Sequence, residues 1–177
     1  VLNAFDIQMK YFVDLMISSI NTIEQVHKEY KPLPYLSLLI DNCITNGRDV
    51  TNGGAKYNLT GPQALALGTA ADSLCTIRQL VFDEKSVSAE ELISALKANW
   101  EGYETLYRLV NSDKVHHYGN DDDYADELAK FVFDTYCKYV EKRPNVRGGH
   151  YAPGVYSVAG NVPHGMVQWA SADGRQA

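Results

Sequence analysis

Asp121, Asp122 and Asp123 stand in a row, and adjacent carboxylates are the residue type that draws a divalent cation. A calcium loop of the EF-hand kind needs glycine at its sixth position and an acid at its twelfth. Counted from Asp121, those places hold Asp126 and Val132, so the loop fails. Acids in such a run also suit the first turn of a helix, where the backbone dipole is positive, and that is the expectation here. His116 and His117 precede them and carry the side chain used for proton transfer and metal ligation. No cysteine or carboxylate sits at ligand spacing, and neighbours on a helix or strand do not face one way, so a surface or structural role is expected. Asn52, Gly53, Gly54 and Ala55 have the composition of an anion-binding nest. They match neither the dinucleotide nor the P-loop pattern, and a tight connection is the better reading. Cys43 lies in an apolar run with no histidine or lysine close by to lower its pKa, while Cys75 and Cys137 fall on helical patterns. All three read as buried, inert thiols. No catalytic and no metal-binding residue is assigned.

The elements that must position these groups are mostly helical. Phe5, Met9, Phe12, Met16, Ile20 and Ile23 recur every three or four residues and predict one amphipathic helix over 3–29, ended by Pro32 and Pro34. Residues 35–44 predict a short, buried helix, stopped at Gly47. Four glycines and a proline make 47–62 a loop, with a short strand near 56–59. Residues 63–82 read as a helix rich in small side chains. Ser88 and Glu91 form a capping box for a helix to Trp100, and further helices follow over 101–111 and 124–141, the last stopped by Pro144. From 146 onward glycine, proline, valine and tyrosine dominate. Val155, Ser157 and Ala159 alternate with Tyr156, Val158 and Gly160, which predicts a strand followed by turns.

The bulk numbers exclude several classes. With 177 residues, 45% apolar and 21% charged, the chain can bury the core of one domain and is not a disordered tail. Its net charge of −6, unbroken by any basic run, argues against nucleic acid and anionic membrane as partners. No apolar run approaches the roughly 20 residues that span a bilayer. Three widely spaced cysteines without a CxxC pair fit reduced thiols in the cytoplasm, not a disulfide framework, zinc site or iron–sulfur site. The opening residues lack the basic region of a signal peptide, and a start at Val1 fits a fragment or processed product.

Seven short blocks occur in a fixed order: Asp-x-Cys-Ile at 41–44, Gly-Gly-Ala-x-Tyr-Asn at 53–58, Gly-Pro-Gln at 61–63, Tyr-Gly-Asn-Asp-Asp-Asp at 118–123, Arg-Gly-Gly at 147–149, Asn-Val-Pro-x-Gly at 161–165 and Asp-Gly-Arg at 173–175. In this order, across about residues 33–177, the chain resembles the carboxy-terminal half of pyruvate formate-lyase-like glycyl radical enzymes. The resemblance implies a predominantly helical α/β fold: residues 1–177 as part of a ten-stranded α/β barrel, mostly helical over 1–143, strand and turn over 146–177. It implies a lyase or dehydratase that acts on a small polar substrate by thiyl-radical hydrogen abstraction. The radical is stored on a glycine and installed by a separate radical-SAM activase.

In the family that glycine sits in an Arg-Val-x-Gly-Tyr setting and the thiyl cysteine in Cys-x-Glu. Cys43 is followed by Ile44 and Thr45, and Gly160 has Ser157 and Asn161 where the arginine and tyrosine belong, so neither takes the role. The resemblance therefore implies that this chain holds no radical residue and no bound cofactor, and is inactive alone. Its expected partners are the rest of the parent enzyme, the activase and, for the full-length protein, a second copy. A non-catalytic helical interaction or structural module derived from the family is the alternative. In members acting on small alcohols and amines, the strand before Asn-Val-Pro faces the barrel interior, so Tyr156 and Ser157 are the implied substrate-binding positions. Adjacent strand residues face opposite sides, so at most one of them points inward. The chain departs from the family at Trp169–Ala172, where members carry Gly-Ala-x-Pro, and the substrate stays open.

Overall fold

α1, Leu2–Tyr30, realises the helix expected at the start of the chain. The computed structural model describes residues 1–156 and 161–177, and these divide into two compact units. The first comprises Val1–Ala64 and Thr135–Gly154. In it the core stripe of α1 is Met9, Val13, Met16, Ile17 and Ile20, packed with Tyr136, Val140 and Tyr151. Phe12 and Ile23, which the periodicity placed on the buried stripe, are instead exposed. At helical spacing Phe12 and Ile23 fall at the edge of the arc that Met9, Val13, Met16 and Ile20 occupy, so a rule of three- and four-residue steps takes them in.

The buried helix expected over 35–44 is two short helices, α2 (Pro34–Leu39) and α3 (Cys43–Asn46). Asn42 breaks them with a left-handed φ of 80°. Ser37 and Cys43 are buried, whereas Tyr35, Leu38, Leu39 and Ile44 are exposed. Gly47 closes α3 as expected: at φ 57° its N–H reaches the carbonyls of Cys43 and Ile44. Beyond it, Asp49 organises the loop. Its carboxylate accepts from Leu33 N (3.0 Å), Ser37 Oγ (2.7 Å), Thr51 N (2.9 Å) and Thr51 Oγ1 (2.6 Å). Partial burial alone would raise its pKa, but the bonds from Thr51, Ser37 and Leu33 outweigh it and bring the value down to about 2. The depressed value gives a sign: the stabilisation is present above the unfolded pKa and lost as the folded value is approached. Chemical unfolding is expected to show up to about 2 kcal/mol of stability disappearing between about pH 5 and pH 2, with that component absent in Asp49→Asn.

Among the described residues no strand forms at 56–59. Pairing starts one step later, where Thr60 N donates to His150 O (3.1 Å) and Ala152 N to Thr60 O (2.9 Å). Two-residue strands follow, β1 (Gln63–Ala64) beside β2 (Gly154–Val155).

The second unit comprises Leu65–Asp134 and Val155–Ala177. α4 (Leu67–Thr76) runs on into a wider π-helical stretch, Ile77–Asp83, where one continuous helix was expected. α5 (Ala89–Lys97) begins as expected, with Ser88 Oγ accepting from Glu91 N at 3.0 Å. α6 (Glu104–Val110) and α7 (Asp123–Val140) follow; α7 contributes its last six residues, from Thr135, to the first unit. The core gathers Leu80, Leu92, Ala95, Leu106, Val110 and Ala172 around Trp100, which is 2% exposed. Trp100 lies past the end of α5 with φ 67°, stacks edge-on to Tyr107 at 5.8 Å and donates from Nε1 to Arg175 O at 3.1 Å. Strand and turn were expected over 146–177, yet α8 (Asn161–Val167) is helical. Pro163 lies in its first turn, where an N–H is not needed. The expected strand residues Ser157 to Gly160 lie outside the described residues. Helices thus dominate a helix-rich α/β chain, and among the described residues no helix is long and apolar enough to cross a membrane.

Candidate functional site

Two of the sequence blocks that lie far apart in the chain interlock in the first unit. Asn145 Nδ2 donates to Asn58 O (2.6 Å) and Thr60 Oγ1 (2.9 Å), while its Oδ1 accepts from Arg147 N (3.1 Å) and Gly149 N (2.8 Å). Arg147 donates from Nη2 to Leu59 O (2.8 Å) and Thr60 Oγ1 (3.0 Å) and pairs with Glu24 at 3.1 Å. The Thr60 hydroxyl in turn donates to Glu24 Oε1 (2.7 Å). The glycines are needed for space: a Cβ on Gly53 would land on the Arg147 carbonyl, and one on Gly149 on the Asn58 carbonyl. So Gly53 and Gly54 form a tight connection, not an anion nest. Glu24 Oε2, Asn58 Oδ1 and Arg147 Nε are buried with no protein partner among the described residues. A cavity of about 310 Å³ opens beside this lock, lined by Glu24, His27, Leu33, Leu36, Val50, Thr51 and Arg147. The two charges on its wall pair through Arg147 Nη2 and Glu24 Oε1, leaving Glu24 Oε2 and Arg147 Nε unpartnered among the described residues.

The histidines and aspartates meet in the second unit. Asp122 caps α7: its main-chain carbonyl accepts from Asp126 N (2.9 Å) and its Oδ1 from Tyr124 N (2.9 Å), as the acidic run predicted. Its other oxygen faces His116 Nδ1 at 2.5 Å, a partner that sequence spacing did not reveal. The bond from His116 holds the Asp122 carboxyl below its usual range, against slight desolvation and with help from the Tyr124 amide. His116 stacks on Tyr124 (4.3 Å), Arg78 lies over the same ring (4.5 Å), and Tyr124 OH donates to Asp83 (2.9 Å). His117 Nδ1 stands 3.8 Å from Asp72, which also accepts from Tyr118 N (2.7 Å). Cys75 is fully buried, and burial, with Asp72 and Asp122, pushes its thiol up to about 12. Cys43 is buried as well, and Cys137 is half-buried. No group of three or more potential ligands is placed to hold a metal among the described residues.

The two positions implied for substrate stand at the end of β2. Tyr156 is 60% exposed. Ser157 lies outside the described residues. Val155, just before them, lines a cavity of about 440 Å³ in the second unit with Leu67 of α4 and Asp126, Ala129, Lys130 and Phe133 of α7, together with Tyr118. The structure brings neither Asp121–Asp123 nor the histidines to this cavity's wall.

Comparison with known proteins extends the picture. A family model described as pyruvate formate lyase-like matches residues 1–165. The (2S)-3-sulfopropanediol dehydratase of Klebsiella oxytoca is 54% identical over 176 residues, 99% of this chain and 21% of that protein. The trans-4-hydroxy-L-proline dehydratase of Clostridioides difficile is 40% identical over 172 residues, 97% of this chain and 22% of that protein. Among solved structures, the glycerol-bound B12-independent glycerol dehydratase from Clostridium butyricum superposes with a TM-score of 0.92 at 38% identity, covering 99% of this chain and 22% of that one. The chain therefore spans about a fifth of the length of the curated relatives it matches.

Proposed function

Because the chain belongs to the pyruvate formate-lyase-like family, we propose that it is one portion of a glycyl radical enzyme that removes water from a small hydroxylated substrate. The observation that carries this is an identity of 54%, sustained over 99% of the chain, to a dehydratase that acts on a sulfonated propanediol. The same reading supplies the rest of a ten-stranded barrel, a cytoplasmic setting, a dimer of full-length copies and a radical-SAM activase as partner. The stored radical, once installed elsewhere in the parent, supplies the oxidant that makes a thiyl; this chain supplies part of the wall around the substrate. The full-length enzyme, treated anaerobically with a matching activase, is expected to give a glycyl doublet in electron paramagnetic resonance and to dehydrate a short vicinal diol. Absence of both would overturn the proposal.

Within that wall Tyr156 is the residue we assign to the substrate, ahead of Ser157. What supports it is Val155: its cavity is walled by helices α4 and α7, and adjacent residues on an extended segment face opposite ways. Tyr156 then turns from the helices toward the barrel interior, where a phenol donates to or accepts from a substrate hydroxyl. Tyr156→Phe in the full-length enzyme is expected to lower kcat/KM about tenfold, the loss of one hydrogen bond of about 1–1.5 kcal/mol, with Tm unchanged. Ser157→Ala is expected to keep wild-type turnover. Tyr156→Phe with full turnover would remove the assignment.

A further inference from the structure

Gln63, at the start of β1, carries a carboxamide that the fold uses at one end only. Its Nε2 donates to Gly61 O at 3.0 Å. That carbonyl can only accept, so the amide nitrogen must face it and the oxygen is the free end. Among the described residues Oε1 accepts no hydrogen bond, and Gln63 is exposed. Room for the amide comes from the neighbouring strand. A Cβ on Gly154 would stand 2.5 Å from Gln63 Oε1 and 2.7 Å from Nε2. Glycine at 154 therefore lets the carboxamide lie across β2.

Register decides which face this is. Thr60 pairs with Tyr151 in parallel, Ala152 N donates to Thr60 O (2.9 Å) and Gly154 N to Pro62 O (3.2 Å). Carried on, that register sets Gln63 beside Gly154 and Ala64 beside Val155, and successive residues of each strand face opposite ways. Ala64 packs against the core of Tyr136, Val140 and Tyr151, and Val155 lines the cavity walled by α4 and α7. Gln63 and Gly154 thus take the face turned away from the helices. Tyr156, two residues on from Gly154, continues that face.

We propose that Gln63 is a further substrate-binding residue, whose Oε1 accepts a hydrogen bond from a hydroxyl of the substrate. The inference rests on the reading of the chain as part of a dehydratase in which Tyr156 faces the barrel interior. The bond to Gly61 O holds the amide before substrate arrives, so little side-chain freedom is lost on binding. The free end is an acceptor and nothing else, which sets what it can read. A hydroxyl supplies the proton it needs, whereas an ionised carboxylate or sulfonate brings only acceptors and is turned away. Gln63 therefore selects the hydroxylated part of a substrate.

The test is Gln63→Leu in the activated full-length enzyme, with propylene glycol as the vicinal diol. The variant is expected to lower kcat/KM about tenfold, with Tm and the glycyl doublet unchanged. Wild-type kcat/KM would overturn the proposal. A fall in turnover that comes with a fall in Tm would make Gln63 a brace for Gly61 and overturn its contact with substrate. A second measurement needs no radical and no turnover. In enzyme that has never been activated, Gln63→Cys and Ala64→Cys are made separately and treated with methyl methanethiosulfonate, and labelling at each site is followed by peptide mass spectrometry. The thiol at 63 is expected to react at least about tenfold faster than the one at 64, which opens to reagent only rarely. Equal protection at the two positions would overturn the assignment of the face. Fast labelling at 63 in an enzyme that dehydrates nothing would leave Gln63 as an open binding position while the functional proposal failed.

Discussion

Gly149→Ala is expected to cost about 3 kcal/mol or more in chemical unfolding and to lower soluble yield sharply. The added methyl would land on the Asn58 carbonyl. That carbonyl cannot step aside, because Asn145 Nδ2 donates to it at 2.6 Å. Nor can Gly149 retreat, since its N–H donates to Asn145 Oδ1 (2.8 Å) and its carbonyl accepts from Asn145 N (3.1 Å). Gly148 is the internal control. It has φ 81° and nothing within 4 Å of a built Cβ, so Gly148→Ala carries only the left-handed backbone cost of about 1–2 kcal/mol. Equal costs for the two variants would show that the interlock between the 53–58 and 147–149 blocks does not constrain the fold.

Trp100→Ala should lose about 3–5 kcal/mol, the range for removing a fully buried indole from a packed core. Trp100→Phe separates packing from hydrogen bonding. It deletes the Nε1 donor to Arg175 O, but that carbonyl also accepts from Ser171 N at 3.2 Å and is not left bare. The expected cost of the phenylalanine variant is therefore about 1–2 kcal/mol, mostly from the smaller ring. Differential scanning fluorimetry of the pair decides the matter: similar losses for both would mean that the hydrogen bond to the chain's last residues, not the indole's bulk, holds this core together.

What the sequence made legible was local. Ser88 before Glu91, glycine at 47 and the acids before α7 are decided within a few residues, and the structure has each as read. In α1 the spacing takes in Phe12 and Ile23, which lie at the edge of the buried arc, because three- and four-residue steps cannot say where that arc stops meeting its neighbours inside the chain. The left-handed Asn42, the π-helical stretch and the helical turn at 161–167 depend on contacts or strain beyond any local window. The site behaved likewise. The block at 53–58 was readable as a resemblance, yet its use became visible only when Asn145, outside every block, was found bonding to Asn58 and Thr60 from 87 and 85 positions away. Nothing near Asp49 in sequence announces the bond to it from Leu33 N, 16 residues earlier.

The division of the chain also has a consequence in time. The first unit is discontinuous: Val1–Ala64 needs Thr135–Gly154 to complete it, and all of Leu65–Asp134 intervenes. Translation at ~5–20 residues per second leaves the completed α1 waiting about 5–24 s before its core partners Tyr136, Val140 and Tyr151 are made. Throughout that delay the core stripe of α1 lacks these three partners. The second unit's long inner segment can meanwhile begin to gather around Trp100. Within this stretch order of synthesis thus runs opposite to order of assembly, and α1 must be held until the segment that completes its unit has been made.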